Sequence, residues 1–203
     1  MQTKKSLTLL SAFAAVSLLV GCASPPQAEL DAAKADIEAA KTAEAETYAT
    51  AEFQAASDSL SAATAEITTQ EGKFALFRNY DRAKALIASS SSGAKGSATM
   101  AAENKAKVIA EVVQLKTDTQ AALTSANELF AKAPKGKESK EALEAIKNDL
   151  ASIETSITEA DQLTTDNQHL TARDRLKAGL DKTNQIITEL TEAIEKKKGG
   201  KKG

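Results

Sequence analysis

The chain has 203 residues, 42% of them apolar by class and 3% aromatic, with one cysteine, one histidine, three prolines, no tryptophan and a net charge of −2. Those counts exclude a zinc site of several cysteines and histidines, a Cys-x-x-Cys redox pair, a two-histidine metalloprotease site and any disulfide within the chain. From Cys22 onward about a fifth of the residues are alanine, far above the usual share, so the core must be thin and its elements closely spaced.

Residues 1–21 read as a signal segment that is removed. Lys4 and Lys5 make a positive start, and Leu7 to Val20 is an unbroken run of apolar and small residues. That run is about 14 residues long, shorter than the roughly 20 a spanning helix needs, and it fits the core of a secretory signal peptide. It ends in Leu19-Val20-Gly21-Cys22. This resembles the lipobox of bacterial lipoproteins. The resemblance implies a diacylglycerol on the Cys22 thiol, cleavage before Cys22 and acylation of the new amine. The thiolate is the nucleophile such chemistry needs, and two or three acyl chains anchor stably where one binds only marginally. In lipoproteins of enterobacterial type an aspartate after the cysteine holds the protein at the inner membrane. Ala23 stands there, which implies the outer membrane, periplasmic face. Residues 22–27 form a short lipidated tether, kept extended by Pro25 and Pro26.

Beyond the tether the fold class is all-α. No proline occurs between Pro26 and Pro134, good helix formers dominate, and neither apolar/polar alternation nor a hairpin signal appears. A first helix is predicted over 27–70. Its stripe is Ala49, Phe53, Ala56, Leu60, Ala63 and Ile67, at spacings of four and three. Leu30, Ala33, Ile37 and Ala40 repeat the spacing, but Tyr48 falls off the register, which marks a change of phase or of partner face. Gly72 marks a turn. A second helix is predicted from Lys73, with Phe77, Tyr80, Lys84 and Ile87 on one seam. Ser89 to Ser97 has linker propensity, yet the heptad phase runs through it from Ile87 to Leu129. That favours one long helix to residue 131 with a weak middle. Ala133 to Ser139 is a loop. A third helix over 139–165 carries Leu143, Ile146, Leu150, Ile153, Ile157 and Ala160. After a polar turn, a fourth over 169–197 carries Leu176, Leu180, Thr183, Ile187, Leu190 and Ile194.

The predicted layout is therefore an elongated, coiled-coil-like antiparallel bundle of about four helices: a long helical hairpin over 28–131, a loop over 132–138, a second hairpin over 139–197 and a disordered basic tail over 198–203. Asp81 to Ile87 resembles Asp174 to Leu180, and at the same offset Phe53 and Leu60 fall opposite Ile146 and Ile153, a hint of two tandem hairpins.

The first hairpin has a recurrent layout: alanines at 32, 33, 35, 39 and 40, then Glu46, Tyr48, Phe53, Ala56, Leu60, Ala63, the Gly72-Lys73-Phe74 turn, Tyr80, Ala83, Leu86 and Ile87. Behind a lipobox, residues 22–92 resemble bacterial envelope lipoproteins whose common domain is an uncharacterised Ala-rich helical hairpin. That family implies location and shape and brings no catalytic residues. A more distant likeness is to murein lipoprotein of the Braun type, lipidated and heptad-patterned, with a C-terminal lysine joined to peptidoglycan. This chain ends in Gly203, which departs from that attachment.

Candidate chemistry is sparse. His169 lies between Asp166 and Asp174, where a carboxylate-assisted base is conceivable, but no serine motif or glycine-rich oxyanion loop accompanies it. It reads as a solvated histidine near a helix start. No calcium loop or phosphate loop occurs, and no catalytic residues, metal ligands or cofactor beyond the lipid on Cys22 are assigned. Tyr48, Phe53, Phe74, Phe77 and Tyr80 gather around the first turn; they read as a plug at the hairpin end, with a small aromatic binding patch as the alternative. The strong asymmetry is charge. Without Lys4 and Lys5 the net charge moves from −2 to −4, and setting aside Lys196, Lys197, Lys198, Lys201 and Lys202 leaves −9 for residues 22–195. An acidic rod with a cationic tip fits ionic contact with peptidoglycan carboxylates, anionic headgroups or an acidic partner. The compartment and the acidic body disfavour nucleic acid. An even number of alternating helices returns the tail to the anchored end, which favours headgroups. The resulting expectation is an outer-membrane lipoprotein with a non-catalytic structural or adaptor role, working through helix–helix contacts with an envelope protein or with itself. The alternative is a periplasmic binding module for peptidoglycan fragments or a small ligand.

Overall fold

The computed structural model describes residues 24–137 and 139–199, the last two of these as backbone alone. These residues form six α-helices and no strand: α1 Gln27–Thr42, α2 Ala45–Tyr48, α3 Thr50–Glu71, α4 Asp81–Lys132, α5 Lys140–Thr165 and α6 His169–Gly199. The expected all-helical class is present.

The helix expected over 27–70 is instead two helices folded back on each other. Asp36 of α1 bonds Ser91 and Lys95 of α4, and Glu66 of α3 pairs with Arg82 of the same helix. A continuous helix would hold residues 36 and 66 about 45 Å apart, whereas the α4 partners 82 and 91 lie about 14 Å apart at 1.5 Å per residue. The reversal occupies 43–49. Glu44 takes the left-handed conformation at φ 60°, α2 is a single turn, and Ala49 sits at φ −143°. The lost register at Tyr48 was the trace of this turn in the sequence.

Contacts along α4 give the direction of every helix. Asp36 meets α4 at 91–95 and Glu44 meets it at Lys105, so α1 runs parallel to α4. Ala56 faces Gly93 while Glu66 faces Arg82, so α3 is antiparallel. Farther along, Lys116 of α4 pairs with Asp161 of α5 at 2.6 Å. Arg175 pairs with Glu159, and Lys182 with Asp149, so α6 is antiparallel to α5. The Thr119 hydroxyl faces the Leu176 carbonyl of α6. Thus α4, 52 residues and about 78 Å long, is shared. Its first half packs with α1 and α3, its second half with α5 and α6. Among the described residues the main passes number five, not four, with α2 lying inside the first reversal. An odd count puts α6's end opposite α1's start, where an even count was expected to bring the two together.

The segment 89–97 is helix. Ser90, Ala94 and Ser97 are buried, and a Cβ added at Gly93 would meet the Ala56 Cβ at 3.1 Å, so small residues are what allow α3 this close. A Cβ added at Gly96 meets nothing within 4 Å. Gly96→Ala is therefore expected to stabilise the chain by about 0.5–1 kcal/mol, the ordinary helix gain over glycine, readable as a raised urea midpoint.

The second helix begins at Asp81 rather than Lys73. The Arg78 guanidinium donates to the carbonyls of Lys73 and Glu71 at 3.0 and 2.9 Å, and Asn79 donates its backbone N–H to Gln70 at 3.1 Å. These bonds tie the chain into a turn with one 3₁₀ segment, Ala75–Phe77. Phe77 and Lys84 consequently leave the expected seam and are exposed, while Tyr80, Ala83 and Ile87 fill the core. The core is graded. Near α1's start it holds Leu30, Ala33, Ala63, Ile67, Tyr80, Ala83 and Ile87. Around α5 and α6 it holds larger side chains, among them Leu150, Ile153, Ile157, Leu176, Ile186 and Leu190.

Candidate functional site

The groups with chemistry to offer lie at the two ends and the waist of the molecule. At the first end, Leu30 of α1 packs with Ile67 of α3 and with Tyr80, Ala83 and Ile87 of α4. Gln27 stands nine residues before Asp36, so it lies level with about residues 82–86 of α4. Ser24 to Pro26 lead into α1 at this end, and Cys22 lies outside the described residues. The turn between α3 and α4 is here too, with Phe74, Leu76 and Phe77 exposed by 69, 66 and 74%.

At the other end, Lys196 and Lys197 are exposed on the last turns of α6. Lys198 belongs to the helix by its backbone, and Lys201 and Lys202 lie outside the described residues. Leu176 is level with Thr119, so Lys197, 21 residues on, lies about 80 Å from the start of α1.

The waist is where the reversal at 43–49 meets the α5–α6 turn, in which Asn167 takes the left-handed conformation at φ 58°. Both non-glycine residues of positive φ among those described, Glu44 and Asn167, are in these two turns. Lys105 pairs with Glu44 and lies 5.9 Å from the Tyr48 ring centre, and Asn104 donates to the Tyr48 carbonyl at 2.7 Å. His169 is not solvated as expected: it is 6% exposed, and its Nδ1 is buried without a hydrogen-bond partner. It lies where the α5–α6 turn meets Glu44, Thr47 and Tyr48 of the reversal, which no local pattern foretold.

The five aromatic residues do not form one plug. Tyr48 and Phe53 are buried toward the waist, Tyr80 is buried at the first end, and Phe74 and Phe77 stand in solvent with ring centres 6.2 Å apart. The 22 residues of α3, about 33 Å, hold Phe53 and Tyr48 apart from the turn that carries the other three.

Ion pairs staple the helices. Hydrogen bonds from Ser91 and then Lys95 hold the Asp36 carboxyl below the ordinary carboxylate range. A lowered pKa means this α1–α4 link is present at neutral pH and is lost as acid protonates Asp36. The hydrogen bond to the Asp149 carboxylate raises the Lys182 pKa, so this α5–α6 link is present at neutral pH and is lost as base deprotonates Lys182. A surface groove of about 530 Å³ lies between those helices and is lined by Asp149, Ile153, Ser156, Asp174, Arg175, Gly179 and Lys182 among others. Its charged heads are already engaged: Asp149 with Lys182, Asp174 with Arg173, Arg175 with Glu159. Among the described residues no group of three or more His, Cys, Asp or Glu could hold a metal ion, and no helix is long and apolar enough to cross a membrane. Comparison with protein-family models, curated proteins and solved structures found no match.

Proposed function

We propose that this protein is an outer-membrane lipoprotein, anchored through Cys22 on the periplasmic face, that acts as a non-catalytic rod holding a cationic tip at a set distance from the membrane. The observation that carries this reading is the opposite placement of α1's start and α6's end, about 80 Å apart along α4. Anchor and charge at opposite ends make a spacer. The distal lysines then favour an anion away from the anchored membrane, such as peptidoglycan carboxylates or an acidic envelope protein, over headgroups of the same leaflet. Helix–helix contact with a partner or a second copy draws support from Ile109 and Val113, one turn apart and exposed on α4.

Attraction through exposed lysines weakens with salt, because the screening length falls from about 10 Å at 0.1 M to about 3 Å at 1 M. Deleting residues 196–203 is expected to reduce sedimentation with purified peptidoglycan roughly tenfold at low salt, and to change little at high salt. Equal sedimentation of both chains at every salt concentration removes the tail from the function. The alternative, a binding module for peptidoglycan fragments or a small ligand, rests on the α5–α6 groove, whose volume falls in the range of ligand sites. Its paired charges weigh against it. A muropeptide that raises the thermal midpoint and shifts amide signals of Ser152, Ser156 and Gly179 would favour that reading.

A further inference from the structure

We propose that the turn between α3 and α4 is a second membrane contact, its Phe74, Leu76 and Phe77 side chains seated in the interfacial zone of the leaflet that holds the acyl chains of Cys22. This rests on the lipid-anchor reading above. Three large apolar side chains are each two-thirds or more exposed within four residues, and the two rings are adjacent. They serve no core: the buried aromatic of this turn is Tyr80.

The backbone presenting them is held firmly. Arg78 caps the carbonyls at the end of α3, Asn79 bonds Gln70, and the Asn79 side chain takes the N–H of Asp81 at 2.7 Å. Insertion therefore needs little ordering of the chain. Phenylalanine and leucine favour the boundary between headgroups and acyl chains. Lys73, exposed, flanks the apolar group, where its cationic head can reach anionic lipid.

The position of the chain's outgoing end selects lipid as the occupant. Residues 24–26 lead into α1 beside this turn, and five residues back from α1's start to Cys22 reach at most about 17 Å when extended. With the Cys22 lipid in the bilayer, this end of the rod is confined to the headgroup region, and the exposed turn is confined with it. A protein occupant would have to enter the gap between rod and bilayer. Two contacts rather than one would stop the rod from lying over on its tether, so the distal lysines stand at full height.

Because the chain has no tryptophan, a single introduced tryptophan reports alone. Phe77→Trp, and Leu76→Trp as a second reporter on the same turn, would be made in the lipidated mature chain. The probe is a vesicle of phosphatidylethanolamine with a minority of phosphatidylglycerol, prepared with and without dibrominated phosphatidylcholine. Val113→Trp is the control, at a position 63% exposed and well up the rod on α4. The expected result is blue-shifted emission and severalfold quenching by brominated lipid at 76 and 77, with emission at 113 unquenched by brominated lipid. Flotation with the vesicles is read separately and reports on the anchor. A chain that floats while all three tryptophans stay unquenched overturns this inference alone. A chain that does not float refutes the anchor reading on which it rests. Emission at 77 that shifts blue with protein density, without quenching by brominated lipid, marks a contact between copies and overturns the lipid contact.

Discussion

A chain with Cys22 replaced by serine is expected to leave the membrane fraction. The hydroxyl of serine is not deprotonated as a thiol is and cannot take the diacylglycerol, and no other cysteine exists to replace it. Each buried methylene contributes about 0.8 kcal/mol, so two or three acyl chains give an anchor that one chain does not approach. None of the helices among the described residues can compensate by spanning the bilayer. The turn carrying Phe74, Leu76 and Phe77 is small, and without the lipid it would give at most weak, reversible binding. The check is metabolic labelling with a fatty acid together with membrane flotation. Label retained by Cys22→Ser, or a mutant that floats like the parent, would reject the anchor.

The second large effect is on stability. Leu176→Ala is expected to cost about 3 kcal/mol, within the 2–5 kcal/mol range of buried leucine truncations. Leu176 is 1% exposed, in the core shared by α4, α5 and α6, and its carbonyl lies 3.4 Å from the Thr119 hydroxyl, which bonds the Leu115 carbonyl. Rigid helices on three sides cannot collapse into the space of the lost side chain. Such a loss is a large part of the 5–15 kcal/mol that holds an ordinary domain folded. It should be uneven along the rod. The α5 and α6 helices touch α1–α3 only around the waist, so amide exchange should quicken first in α5 and α6 and later in α1 and α3. A change below about 1 kcal/mol in the denaturation midpoint, or uniform loss of protection, would mean that this core is not packed as described.

Helix content was legible because it is local. Alanine, glutamate and lysine with no proline between Pro26 and Pro134 leave the backbone little alternative, and spacings of four and three carry the buried faces. The phase running through Ser89 to Ser97 outweighed their loop propensity for the same reason: Ser90, Ala94 and Ser97 are on the buried stripe where α3 comes closest. The reversal at 43–49 was less legible. It needs no glycine or proline, since a glutamate supplies the left-handed residue, and a lost register alone does not distinguish a bend from a turn. The burial of His169 beside Glu44, Thr47 and Tyr48 follows from that same reversal, which only contacts across the fold display.

The sequence by itself determined the all-helical class, the thin alanine-rich seam, the loop at 133–139, and the expectation that Cys22 is an anchor and the C-terminal lysines a cationic end. Each rests on local composition and spacing, which act on neighbours in the chain. The tertiary structure decided the number of passes among the described residues, and with it which ends of the molecule the start of α1 and Lys196 and Lys197 occupy. Direction depends on which helix packs beside which, and a single turn at 43–49 changes an even count to an odd one. That count puts the outgoing N-terminal segment beside the exposed Phe74–Phe77 turn and carries Lys196 and Lys197 to the far end of the rod.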